Sequence, residues 1–493
     1  MLLVVPVVAP IAGAAVSLLL RRHPGAQRLL GVGTLTLTTA VCVLILIRVE
    51  ANGVLVADVG GWPAPIGITL VADLFSGLML VVASLMVLAV LFYAIGQPGT
   101  DAVAPWFHPV YLVLTAGVAA SFLTGDLFNL FVAFEMMLVA SYVLITLGAT
   151  APQVRTGMTY VVISLLASTL FITTVGLIYA ATGTVNMADL AGRLDALPQE
   201  VRLVLALLLL VVFGIKAALF PLFFWLPDSY PTAPTPITAI FAGLLTKVGV
   251  YAIIRTQTLL FGSDGPTTVL LWVAALTMVV GVLGAIAQSD VKRILSFHIV
   301  SQIGYMVFGL ALSTLAGLAA TVFYIVHHIV VKTSLFLVGG LVEQDTGTGA
   351  LQRIGGLLHR RGFVAVLFLV PALSLAGIPP FSGFVGKLGL VQAGFAAGAE
   401  VVVAVSLVVS LLTLFSMTKI WGGVFWGVPE APGPIATDRP SRPLPLLMVG
   451  ATAATVALSV LIAVFAGDIY DLSHRAAADL RDPTAYIDAV LGR

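Results

Sequence analysis

Residues 201–258 read VRLVLALLLLVVFGIKAALFPLFFWLPDSYPTAPTPITAIFAGLLTKVGVYAIIRTQT. Two apolar runs of spanning length flank a proline-rich interruption, and each carries one lysine deep inside it, Lys216 and Lys247. An ammonium at the centre of a spanning helix costs roughly 2.5–3.5 kcal/mol on insertion scales, so it requires a partner or a function. Pro221 has no N–H for the carbonyl of Ala217 and its ring crowds the preceding turn, so the helix is predicted to break just after Lys216. Non-helical backbone persists at membrane depth only where protein or a water-filled cavity covers it. A broken helix beside a buried lysine therefore predicts an ion path.

The rest of the chain fits that setting. Of its 493 residues 60% are apolar and 9% charged, and the mean hydropathy is +1.13. Soluble domains carry about a quarter charged residues, so this is an all-α polytopic membrane protein. The net charge of +1 and the lack of any long charged run argue against nucleic acid as a partner. Cys42 is the only cysteine, which excludes an internal disulfide and a cysteine-ligated iron–sulfur cluster or zinc site within the chain. No cofactor is expected. Leu2 to Leu20 has no basic stretch before it and is read as a retained first span.

Apolar stretches of about 20 residues lie near 2–20, 29–49, 71–95, 109–124, 127–148, 157–181, 201–221, 236–258, 268–288, 293–312, 315–341, 363–395, 401–421 and 445–466, predicting fourteen helices. The stretch 363–395 is too long for one crossing, and Pro371, Gly377, Pro379 and Pro380 interrupt it, predicting a second broken helix. Five helices separate the two breaks, the arrangement expected of a five-helix unit repeated with inverted topology. The chain then divides into a three-helix segment (1–108), repeats at 109–262 and 263–422, and a last span with a polar tail (423–493). The segment 183–200 is expected to lie along the outer surface, and the tail from Asp468 carries no readable motif. Counting loop arginines and Lys292, with Arg439 and Arg442 on the cytoplasmic side and Arg255 in an outer loop, places both termini outside.

Six lysines occur, Lys216, Lys247, Lys292, Lys332, Lys387 and Lys419, and only Lys292 reads as a loop residue, whereas every arginine sits in a loop or at a helix end. Arginine keeps its proton in proteins and lysine can release one, so the buried lysines suit proton transfer. Lys419, near a helix end, equally fits a side chain reaching the interface. Glu135 is the one carboxylate well inside a span, and Lys216 is its best partner; Asp73, Asp126 and Asp290 read as solvated or capping. His328 and Lys332 are four apart and share a helix face with Thr321 and Tyr324. His327 points about 100° away from His328, so the two cannot grip one metal from one face. His298 reads as a hydrogen-bonded packing residue, and Lys387, just past the second break, repeats the logic of Lys216.

FPLFFWLPDSYPTAPTPITAIFAGLLTKVGVYAIIRT, DVKRILSFHIVSQIGYM and AGIPPFSGFVGKLGL closely resemble the proton-antiporter-like membrane subunits shared by respiratory complex I, membrane-bound hydrogenases and multisubunit Mrp sodium/proton antiporters. The resemblance covers about residues 1–467, and within the superfamily TKVGVYAIIRT, Lys387 and the length are similar to the D-type subunits of Mrp complexes. It implies fourteen helices, two inverted five-helix repeats and a polar axis through Glu135, Lys216, Lys247, His328, Lys332 and Lys387. It also implies a bacterial plasma-membrane location, other Mrp subunits as partners in a hetero-oligomer, and H+ and Na+ as the ions moved. Tyr324 stands where some relatives have a second histidine. The rival readings are a proton-pumping subunit of a redox-driven complex, and a scaffold that needs neither Glu135 nor Lys216 for transport.

Overall fold

The computed structural model describes residues 1–101, 105–262, 265–428 and 443–493. All fourteen apolar stretches are helical. The first two, α1 (Val5–Leu19) and α2 (Pro24–Asn52), lead into a β-hairpin, β1 (Leu55–Asp58) and β2 (Thr69–Ala72), paired antiparallel with Leu55 opposite Ala72. Then come α3 (Leu74–Gly96), α4 (Phe107–Leu123), α5 (Leu127–Ile145) and α6 (Ala151–Thr182). The short α7 (Met187–Leu194) buries Met187, Ala188, Leu190 and Leu194, which accounts for the mixed spacing of 183–200. The quoted stretch forms α8 (Gln199–Ala217), the one-turn α9 (Trp225–Ser229) and α10 (Thr235–Phe261). The second half holds α11 (Thr267–Ala287), α12 (Val291–Ala311), α13 (Leu315–Thr346), the broken pair α14 (Gly362–Ala376) and α15 (Ser382–Ala396), α16 (Glu400–Trp426) and α17 (Leu446–Val464).

Eleven of these helices are long and apolar enough to cross a membrane, and α4 and α14 are shorter apolar helices. The start of the chain and its last helix, Thr484–Leu491, both meet the hairpin. Arg439 and Arg442 of the charge count lie outside the described residues. At the core runs α13, about 48 Å long at 1.5 Å per residue and buried on every side from Gly317 to Val342. A helix apolar around its whole circumference needs neighbours on all faces, and α3, α10, α12, α14, α15 and α17 supply them.

Both predicted breaks occur. α8 stops at Ala217, one residue after Lys216, with Ala218 left-handed at φ 62°. The Trp225 indole N–H donates to the Ile215 carbonyl at 3.1 Å, capping one acceptor that the break frees. The second break falls at Gly377, φ 84°, and not at Pro371, which sits inside α14. Pro371 removes one donor from the ladder, whereas the left-handed glycine followed by Pro379 and Pro380 ends it.

Two turns repeat at opposite ends of the bundle. α6 ends on Thr182–Gly183–Thr184 and α13 on Thr346–Gly347–Thr348, 164 positions further on. In both, the first threonine hydroxyl donates to the carbonyl four residues back and to the carbonyl of the second threonine, with glycine left-handed at φ 76° and 78°. Both then bridge to an aspartate that caps a helix, Asp126 with Asn186 and Asp290 with Ala350. α10 and α16, 165 positions apart at both ends, each finish in a π turn.

Four sequence readings change. Lys292 is no loop residue: Asp290 caps α12, so Lys292 falls in its first turn, buried, with Nζ 2.6 Å from Glu343 of α13. Arg255 is not in an outer loop, because α10 continues to Phe261, and its guanidinium lies 2.6 Å from Asp73. Asp73 caps α3 yet is buried rather than solvated. Burial pushes its carboxyl up, but Arg255 and Ser76 outweigh that and hold it below the usual range. The tail is ordered: α18 (Ala466–Arg481) packs on α13 and α3, and α19 (Thr484–Leu491) packs on α7 and the hairpin, with the Tyr486 ring 5.1 Å from the Arg255 guanidinium.

Candidate functional site

Backbone breaks, glycine contacts and buried polar side chains together define one axis. Gly249 of α10 lies where a Cβ would stand 2.7 Å from the Ala217 nitrogen, and a Cβ on Gly243, two turns earlier, would strike the Thr333 hydroxyl. Glycine lets α10 touch the end of α8 on one side and α13 on the other. Lys247, between the two contacts, is wholly buried and donates to the Ala242 carbonyl at 2.5 Å and the Thr246 hydroxyl at 3.2 Å.

Glu135 of α5 and Lys216 of α8 do face one another, but through a third group. The Ser168 hydroxyl of α6 donates to Glu135 Oε1, and Lys216 Nζ donates to Ser168 Oγ at 3.3 Å and to the Ser164 carbonyl at 3.2 Å. No direct ion pair within 4 Å joins them among the described residues. Lys216 is buried and Glu135 half-buried, on a face where Val132 and Val139 are exposed. Beside Lys216 a cavity of about 10 Å³, room for one water, is lined by Tyr160, Ser164, Trp225 and Tyr230.

The second half is built differently. Lys387 Nζ reaches back across the break to the Ala376 carbonyl at 3.3 Å and to the Ser410 hydroxyl at 3.0 Å, and lies 4.8 Å from the Tyr305 ring centre. Tyr324 donates to Gln302 of α12, His327 Nδ1 meets the Ser382 hydroxyl at 2.9 Å, and His298 Nε2 meets Ser416 at 2.9 Å. Both ring nitrogens of His328 and the Lys332 ammonium, all buried, have no hydrogen-bond partner among the described residues. Lys419 stands apart, donating to the Ile286 and Gln288 carbonyls at 2.8 and 2.6 Å, where it caps α11. Among the described residues no group of three or more His, Cys, Asp or Glu could hold a metal ion.

Sequence reasoning missed Ser164 and Ser168, and one signal would have found them. Counting back from the two Thr–Gly–Thr turns sets Tyr160, Ser164 and Ser168 of α6 against Tyr324, His328 and Lys332 of α13, each pair 164 positions apart. The three members of each set are four apart, so each forms one column on its helix. His327 with Ser382, and Lys292 with Glu343, were also missed; they join helices far apart in sequence.

Comparison with known proteins gives the same picture. The family described as NADH:quinone oxidoreductase/Mrp antiporter, transmembrane, matches residues 124–413. The D-type subunit of the Na(+)/H(+) antiporter of Alkalihalophilus pseudofirmus is 45% identical over 99% of both chains. In solved structures, a chain of the Mrp complex from Dietzia matches at a TM-score of 0.93 with 36% identity, covering 99% of each chain. A chain of the archaeal membrane-bound sulfane sulfur reductase, a respiratory complex, matches at 0.90 with 26% identity, again over 99% of each.

Proposed function

The chain belongs to the NADH:quinone oxidoreductase/Mrp antiporter family of transmembrane subunits, and we propose that it moves protons through the axis running from Glu135 to Lys387. It is a transporter subunit of a multisubunit sodium/proton antiporter of the Mrp type, taking the place of the D-type subunit in those complexes, with the other subunits as partners. The redox-driven alternative is less favoured: the curated relative at 45% identity is an antiporter subunit, against 26% for the reductase chain. The chain sits in the cell membrane with both termini outside, a reading that rests on the arginine count.

The observation that carries the proton path is the unbroken line from Glu135 through the Ser168 hydroxyl to Lys216, ending at a helix break. From there the axis continues to Lys247, His328, Lys332 and Lys387. Tyr324 and His298 line the route through their hydrogen bonds, and Lys419 is a helix cap outside it. The inverted repeats at 109–262 and 263–422 are supported by the matching Thr–Gly–Thr turns and the paired breaks. One mid-membrane carboxylate is too few oxygens for a sodium site, so sodium crosses in or between other subunits.

The test is sodium-dependent proton movement in everted vesicles carrying the whole complex, with Glu135→Ala and Lys216→Ala compared at equal assembly. Exchange should be lost in both. Exchange retained at parental rate in either variant would move the proton path off this chain's axis.

A further inference from the structure

We infer that Glu135 and Lys216 exchange a proton through the Ser168 hydroxyl and not by direct contact, which makes Ser168 a relay group of the path. The inference rests on the proton-path reading above and gives the hydroxyl in that line a chemical role of its own. Its geometry is directional. Ser168 Oγ accepts from the Lys216 ammonium at 3.3 Å while its own hydrogen points to Glu135 Oε1. A hydroxyl that accepts on one side and donates on the other is set to pass a proton from cation to anion. In the step, the N–H bond of Lys216 breaks as an O–H bond forms at Ser168, and the original Ser168 O–H breaks as one forms at Glu135. Neutral amine, neutral carboxyl and an intact hydroxyl remain, so atoms and charge balance.

Three further observations bear on it. Ser168 is held on both sides, since Lys216 is also fixed by the Ser164 carbonyl one turn earlier. The position is the counterpart of Lys332 in the other repeat, so each repeat places a proton-handling group at the same point of its column. A hydroxyl in place of an ammonium is what this half requires, because Lys216 already supplies the cation and a second one beside it would be repelled. The titratable groups facing the relay are Glu135 and Tyr142 of α5, Tyr160 of α6 and Lys216 of α8.

The experiment compares Ser168→Ala, Ser168→Thr and Ser168→Cys in the assembled complex, with Glu135→Ala and Lys216→Ala alongside. Ser168→Ala should lower sodium-driven proton exchange at least tenfold at equal assembly and shift the pH optimum, since two charged groups lose their common bond. Ser168→Thr, which keeps the hydroxyl, should restore exchange to within about threefold, and Ser168→Cys, a weak donor and acceptor, should fall between. A merely structural serine would tolerate alanine and leave the pH profile in place, and that result overturns the inference. If Ser168→Thr is as inactive as Ser168→Ala, packing and not the hydroxyl governs the site, and the inference is equally lost. If Glu135→Ala and Lys216→Ala keep exchange, the path reading itself fails; if they abolish it while Ser168→Ala does not, only the relay does.

Discussion

The columns on α6 and α13 stand at the same distance before their Thr–Gly–Thr turns, yet past the tyrosine that both share one carries two serine hydroxyls and the other a histidine and a lysine. In Tyr160–Ser164–Ser168 the Tyr160 hydroxyl meets Ser141 at 2.8 Å, and Ser168 ties a carboxylate to an ammonium. Tyr324–His328–Lys332 keeps the tyrosine bond but leaves three nitrogens unmet. The breaks differ in the same sense. A neutral indole caps the first at Ile215, whereas the Lys387 ammonium itself caps the second at Ala376, and no carboxylate within 4 Å pairs with Lys387 among the described residues. Lys216 therefore sits beside a counter-charge, across the Ser168 hydroxyl, whereas Lys387 is held by dipoles.

The comparison can be broken most directly at the unmet nitrogens. Replacing His328 and Lys332 by Ala in separate variants should each reduce exchange tenfold or more at equal assembly, measured in everted vesicles; packing residues would show less than twofold. The next effect separates carrier from cap. Lys387→Arg keeps the charge and the bond to Ala376 but cannot give up the proton, so most exchange should vanish. Lys419→Arg should preserve exchange within twofold, because capping the Ile286 and Gln288 carbonyls requires only a cation. Similar losses in both would erase the distinction.

A smaller effect probes the equivalence of the halves. Gly183→Ala and Gly347→Ala each force a side chain into left-handed backbone, at a cost of roughly 1–2 kcal/mol, and should lower the thermal midpoint of the complex by similar amounts. Clearly unequal losses would mean that the two turns do different work. The smallest effect is a control outside both columns. Asp101 joins Arg28 at 2.6 Å and His108 at 3.3 Å. Burial pushes its carboxyl up, but His108 and Arg28 outweigh this and hold it at about 2. Its contribution to stability is thus complete above about pH 4 and is lost as pH falls towards 2. Asp101→Asn should flatten that acid limb of the unfolding profile and leave exchange at neutral pH unchanged.

Much of this molecule was legible from its letters. Hydropathy at spanning length found every long helix, and a proline five residues past a buried lysine found the first break, because the membrane makes both costly to misplace. What escaped was long-range pairing. Arg255 reads as an outer-loop cation until Asp73, 182 positions earlier, is seen beneath it. Ser168 reads as one of many helix serines until the spacing of two Thr–Gly–Thr turns sets it against Lys332. Pro371 shows the limit of punctuation, since a proline alone removes one donor while a left-handed glycine ends the helix. The tail was passed over because residues after Asp468 are polar, yet Ala476, Ala477 and Leu480 are buried.

That tail bears on how the chain is made. Tyr486 covers the Arg255–Asp73 pair, whose two members already stand 182 positions apart. Helices leave the ribosome in order and domains settle largely N-terminal first, so this charge pair forms well before its cover is made. Its lid arrives only with residues emerging near the end. A chain stalled short of residue 466 lacks Tyr486 and leaves the Arg255 guanidinium without that ring.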